Sequence, residues 1–351
     1  MRKLVILLVG LFIFSTAFSQ DEAKTFIQEG IELHDKGDFE GAIAKYDAAL
    51  KLEPSNGKAM YEKSYSLMQL KKYAEAAEIL KVILKESKEP EYRKLSYVNY
   101  GTVLDYMGDK SKSIEVYDKG MKEFPTFYLL PFNKGITQSG MNNAEGAIES
   151  FQRSVTLNPM HASSHNALGR AYFEAKRIPA TLALFTFLVI EPNGKRAEQN
   201  LDYFNQLMTR GVSKGENGNV TINISMDMLD DSKKSKQDDF SGAELVLSLM
   251  GSSNELADTL GAKTEADRLD IKMQMLINAI SDVKKKEKGF IKNFYVPMFV
   301  EMKKKNYVKT ACYIAMASTN DKVILQWIDE NSDAVNEFYD WFKSYFKWKK
   351  A

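Results

Sequence analysis

The chain has 351 residues, 44% of them apolar and 27% charged, with a formal net charge of +1. A balance so close to neutral gives no sign of the strongly basic face that a nucleic-acid partner would need. One cysteine, Cys312, excludes an internal disulfide framework, and only three histidines leave little for a metal site.

Residues 1–19 read as a secretory signal peptide. Arg2 and Lys3 form a positive start, Leu4 to Phe14 is an apolar run broken only by Gly10, and Ala17-Phe18-Ser19 supplies the small residues of a cleavage site ahead of Gln20. The run is short for a membrane span. The expected location is therefore the periplasm or the exterior, and cleavage turns the net charge to about −1, because Arg2 and Lys3 leave with it.

From Asp21 a pattern recurs. Gly30, Ser64, Gly101, Gly135 and Gly169 are spaced by 34, 37, 34 and 34 residues. Twelve residues after each stands Ala42, Ala76, Ser113, Ala147 or Thr181, and four further on Tyr46, Leu80, Tyr117, Phe151 or Phe185. Pro54, Pro125, Pro159 and Pro192 close four of the repeats, and Pro90 follows an insertion of three residues around Ser87 to Tyr92. Small residues let two helices approach closely, large ones are expected to fill the space between neighbouring repeats, and proline ends each unit. Such hairpins bury their apolar faces only by stacking.

Over residues 21–193 the frame resembles the tetratricopeptide repeat (TPR) family. The resemblance implies an all-α solenoid of five helical hairpins. Lys195 to Arg210 reads as a capping helix, with Ala197, Leu201, Phe204 and Met208 on one face and Gly211 as its stop. The solenoid with its cap is expected to fill residues 21–211.

The family also implies which side chains line the concave surface, chiefly positions 5, 9 and 12 of each first helix. Here these include Ile27, Ile31, Tyr61, Tyr65, Met68, Val98, Phe132, Ile136, Arg170 and Phe173, with His34 and Asp105 also at position 12. The floor is apolar and aromatic over four repeats. It departs from the adaptors that clamp a terminal carboxylate, whose Lys and Asn are replaced by Ile27 and Ile31, with Leu95 in the third repeat. Two occupants stay open: a peptide or amphipathic helix from another protein, or the chain's own C-terminal half.

Residues 212–240 read as a linker, with alternation from Val220 to Met228 marking a strand over 219–228 and no second strand after it. Residues 241–351 read as an aromatic-rich helical domain of unrecognised family. Helices are expected over 243–250, 254–260, 265–285, 290–304 interrupted at Pro297, 307–317, 322–329 and 333–349. The last carries Phe338, Trp341, Phe342 and Tyr345 as a stripe, expected to dock on the domain core rather than on a membrane surface.

No nucleotide, metalloprotease or nucleophile motif is present, so no cofactor and no catalytic residue is expected. His161 and His165 stand four apart, a spacing that could place two metal ligands on one helix face, but without a third ligand nearby the reading is structural. The function expected is an exported scaffold or adaptor for a protein or peptide partner in the cell envelope. The alternative is an enzyme whose site lies in the C-terminal helices.

Overall fold

The structure is a computed structural model, and it describes residues 21–214, 220–222, 240–251, 254–281 and 289–348. The signal peptide, most of the linker and the lysine run at 284–286 lie outside these residues. Among the described residues the chain is all-α apart from one short ribbon, and it divides into two compact units. One ends at Ser150 and the other starts at Phe151, inside a helix.

In the first unit, α1 (residues 21–35) and α2 (Phe39–Leu52) form the first hairpin. α3 (Gly57–Gln69) with α4 (Tyr73–Glu86) forms the second, and α5 (Pro90–Tyr106) with α6 (Lys110–Glu123) the third. α7 (Leu129–Ser139) opens the fourth, and α8 (Ala144–Leu157) spans the division between the units. The first helices of successive repeats are neighbours, α3 beside α5 and α5 beside α7.

The recurring glycines are required by close approach. A Cβ on Gly30 would stand 2.4 Å from the Tyr46 ring, and one on Gly101 2.4 Å from Tyr117. The large residue thus fills the space inside its own hairpin rather than, as expected, the space between neighbouring repeats, because the missing Cβ of the glycine leaves room for its ring. The turn between the two helices of a repeat has its own device. Gly37, Lys71, Gly108 and Asn142 occupy equivalent places, all with φ between 58° and 87°. Asp38 and Asp109 then cap the helices that follow, and Asn56 caps α3, each accepting from the backbone N–H three residues on.

The three-residue insertion lengthens α5 at its start, where Pro90 is the first helical residue. The added turn carries Tyr92 and Arg93. Arg93 forms a bidentate pair with Glu123, at 2.7 and 2.8 Å, and Tyr97 donates to the same carboxylate at 3.0 Å. The Arg93 bonds hold the Glu123 carboxyl below its ordinary pKa.

The second unit contains the fifth hairpin, α9 (Ala162–Tyr172) and α10 (Arg177–Ile190), the capping helix α11 (Lys195–Thr209), and the helices after the linker. These are α12 (Ser241–Gly251), α13 (Glu255–Thr259), α14 (Glu265–Ser281), α15 (Phe290–Lys304), α16 (Val308–Ala315), α17 (Lys322–Glu330) and α18 (Ser332–Trp348). The expected interruption at Pro297 does not occur, since α15 runs through it with Pro297 on its exposed side. The strand's partner precedes it. β1 (Val212–Lys214) pairs antiparallel with β2 (Val220–Ile222), Val212 opposite Ile222.

The compact units do not follow the boundary expected near residue 211. The reason is α10. All of its residues but Ile190 are buried, because α9, α11, α12, α15 and α16 surround it. A helix apolar on every side needs cover on every side. Repeat five and its cap are therefore the core on which the C-terminal helices fold.

Candidate functional site

The first-helix positions of the first unit do not all face solvent. Ile27 is 3% exposed, enclosed by Ala23, Ala42, Tyr46, Ala49 and Ala59. It is corrected from floor to core, because the alanines of α2 leave a space that only its side chain fills. Ile31 is half-buried against the same cluster. Tyr61 and Met68 are half-buried on the core of repeats two and three, and Val98 on that of repeats three and four. Phe132 is half-buried, while Tyr65 and Ile136 are 39% and 45% exposed.

Tyr61 and Tyr65, four apart on α3, anchor an aromatic row. Tyr65 stacks on His34, with centroids 5.0 Å apart and planes 20° apart, and His34 meets Phe39 edge-on at 5.0 Å. Tyr61 faces Tyr92 at 6.2 Å. Tyr92 is present only because the insertion lengthened α5, and Gly57 makes room for it, a Cβ there standing 3.0 Å from its ring.

Position 12 binds neighbouring repeats together. His34 Nδ1 meets Ser66 Oγ at 2.7 Å, and Asp105 accepts from Thr137 Oγ1 at 2.7 Å, each pair 32 residues apart. Met68 fills the same role between repeats two and three by packing on the cluster that contains Val103.

A polar row accompanies the aromatic one, one residue on from position 5: Gln28, Glu62, Asn99 and Asn133. Asn133 donates to Leu129 O at 2.8 Å. Asn99 differs. Its side chain is 9% exposed, and its amide nitrogen makes no directed hydrogen bond. That nitrogen lies near enough to the Tyr61 hydroxyl to favour its phenolate, yet burial outweighs this and pushes the Tyr61 pKa up to about 12. Burial also raises Glu62, and Lys58 offsets only part of the effect. Tyr92 is raised by burial and then by Glu89, Glu62 and Glu91. The aromatic row is therefore ringed by acids, with an amide N–H held out of water beside it. Neither Tyr92 nor Asn99 was legible as a site residue, although the insertion and the recurrent amides were signals.

Arg170 and Phe173, in the second unit, are engaged by the chain's own cap. Arg170 lies over the Tyr203 ring at 4.2 Å, Phe173 meets Tyr203 edge-on at 5.2 Å, and Arg210 covers Phe173 at 4.7 Å while donating to its carbonyl at 2.7 Å.

The histidine pair is structural. His165 is completely buried, with Nε2 2.8 Å from Pro159 O and Nδ1 2.7 Å from Tyr295 Oη. A carbonyl can only accept, so Nε2 carries the proton and Nδ1 accepts from the tyrosine. Both nitrogens are used, and burial lowers the pKa to about 4. His161 is the N-cap of α9 and meets Ser164 Oγ at 2.7 Å. Among the described residues no group of three or more His, Cys, Asp or Glu is placed to hold a metal.

Two other charged clusters also have structural roles. Arg177, 6% exposed, donates to Leu207 O, Met208 O and Ser248 Oγ, with the Glu244 carboxylate 3.9 Å away. Asp267 accepts from the backbone N–H of Thr264, whose hydroxyl accepts from the N–H of Asp267, a reciprocal cap at the start of α14. Lys309 pairs with Asp267 at 3.0 Å.

Of the aromatic stripe of α18, Phe338 and Phe342 dock inward at 0% exposure, joined by Phe346 at 5%, while Trp341 and Tyr345 are half-buried. No helix among the described residues is long and apolar enough to cross a membrane. An open cleft of about 560 Å³ lies between α15 and α18, lined by Pro297, Val300, Glu301, Lys304, Trp341, Ser344 and Tyr345.

Two family models, both described as tetratricopeptide repeat, match residues 33–96 and 132–186. No curated protein matches the chain. Similar solved structures include MamA from Desulfovibrio magneticus RS-1, 19% identical, covering 49% of this chain and 94% of its own, with a TM-score of 0.39. YrrB, titled a TPR protein with an unusual peptide-binding site, is 20% identical over 54% of this chain and 97% of its own, TM-score 0.39. PilF of Pseudomonas aeruginosa is 18% identical over 54% of this chain and 90% of its own, TM-score 0.45.

Proposed function

Because tetratricopeptide-repeat models match residues 33–96 and 132–186, we propose that the chain is an exported scaffold whose first-helix face binds a peptide segment of another envelope protein. The observation that carries this reading is the aromatic row on the first-helix face, where Tyr65 stays 39% exposed while stacked on His34, and Tyr61 is backed by Tyr92. Tyr65 and Ile136 offer the apolar contacts, and Glu62, Glu89 and Glu91 favour a partner with a basic residue among apolar ones. The leader at residues 1–19 supports export to the periplasm or beyond.

The test is photocrosslinking in cells from a benzophenone side chain at position 65 or 136, followed by titration of a peptide spanning the crosslinked segment. Tyr65→Ala and Ile136→Ala are each expected to weaken that peptide about tenfold, each removing an exposed apolar anchor. Crosslinks only to the chain's own residues, or unchanged affinity in both variants, refute the reading. Catalysis in the C-terminal helices would need converging carboxylates or a buried free base. The cleft described there has one carboxylate, Glu301, which favours the scaffold.

A further inference from the structure

The cleft between α15 and α18 is separate from the repeat face and has its own chemistry. Its walls are ring-rich: Pro297 and Val300 on one helix, Trp341 and Tyr345 on the other, these two rings 5.7 Å apart. Trp341 is held from behind by Tyr307 at 5.3 Å and Phe338 at 5.8 Å, so its plane is fixed. Its indole N–H has no acceptor among the described residues, and Lys304 and Glu301 at the rim have no ion-pair partner there. At about 560 Å³ the space falls in the range of ligand sites rather than packing faults.

From these features we infer a second binding site, for a proline-containing peptide with an acidic residue, held in the polyproline II conformation. Three arguments converge on that occupant. A wholly apolar ligand would cover the indole N–H, the ammonium and the carboxylate without satisfying any of them. A helical ligand has its carbonyls bonded internally and could not accept from the indole. A polyproline II chain has no internal hydrogen bonds, so its carbonyls are free to accept, and its pyrrolidine rings pack on aromatic walls. The acid has one place available. Lys303, Lys304 and Lys305 end α15, whereas Glu301, one turn earlier, repels a carboxylate. Lys303 is engaged by Asn278, which leaves Lys304 as the contact at the rim of the cleft.

The test uses the full chain and an end-blocked, fluorescein-labelled peptide of prolines with a glutamate at every third place, followed by anisotropy. Saturable binding is expected, and it disappears when alanines replace the prolines. Trp341→Phe keeps a ring but deletes the N–H, and weakens binding about fivefold. Lys304→Gln removes the cation at an exposed position where folding is not at stake, and weakens it about tenfold. The indole proton resonance that Trp341→Phe removes is the one that moves during titration of the unsubstituted chain. Absence of saturable binding, equal binding of the alanine peptide, or unchanged affinity in both variants overturns the inference.

Discussion

The buried histidine makes the second unit sensitive to acid. His165 is enclosed on all sides, with one nitrogen committed to a carbonyl and the other to the Tyr295 hydroxyl. Protonating it in place would set an N–H against the Tyr295 hydroxyl proton and bury an uncompensated charge. Its pKa is therefore lowered from 6.5 to about 4. The folded state stays neutral between those two values while the unfolded chain binds a proton. Stability contributed this way is complete above the unfolded pKa and falls as the pH drops towards the folded one. At about pH 4.5 the difference in protonation free energy is about 2.5 kcal/mol, and at about pH 7.5 it is close to zero.

The assay is selective by composition. Trp327, Trp341 and Trp348, the only tryptophans, all lie beyond Ser150, so tryptophan fluorescence follows unfolding of the second unit alone. Urea unfolding of the unsubstituted chain and of His165→Gln is compared at the two pH values. Other groups titrate in the same interval, so the quantity that matters is the difference between the two proteins. His165→Gln is destabilised at neutral pH, because Tyr295 and Pro159 lose good geometry, but it should lose about 2.5 kcal/mol less on acidification. Parallel pH profiles for the two proteins would show that His165 is not the linked group.

In the first unit, Lys71→Gly should raise stability by about 0.5–1 kcal/mol, the strain of a left-handed lysine less the extra unfolded freedom of glycine, measured by circular dichroism during thermal unfolding. Gly30→Ala should cost about 1–3 kcal/mol in the same assay, since its Cβ would meet the fully buried Tyr46 ring at 2.4 Å. In the second unit, Glu244→Gln should cost about 2 kcal/mol by tryptophan fluorescence, because Arg177 keeps its carbonyl partners but loses the counter-charge 3.9 Å away. Tyr339→Phe should cost about 1 kcal/mol, the worth of its 2.9 Å bond to Val189 O, and a neutral result would show that bond to be unimportant.

The repeat frame was legible because its physics is local. Gly30 and Tyr46, or Gly101 and Tyr117, meet within one hairpin, and the spacing of 34 residues carries that meeting into the sequence. The capping helix was legible for the same reason, its apolar face and its stop at Gly211 both lying within a few turns. The sequence also held a clue to the unit boundary. The run from Ile178 to Ile190 is apolar on every side, which a two-faced repeat helix does not require.

What the sequence alone determined is which residues repeat, which helices they build, and that Ile27 and Ile31 stand where a carboxylate clamp would need Lys and Asn. Only the tertiary structure decided what covers each face. It placed Ile27 in the core, used His34 and Asp105 to join repeats, brought Tyr92 to Tyr61, left the Asn99 amide without a directed partner, and closed the C-terminal helices around α10. The physical reason is that periodicity records whether a side chain is apolar, and so whether its face seeks cover. It does not record the identity of the covering element, which depends on contacts between residues as far apart as His165 and Tyr295 or Val189 and Tyr339.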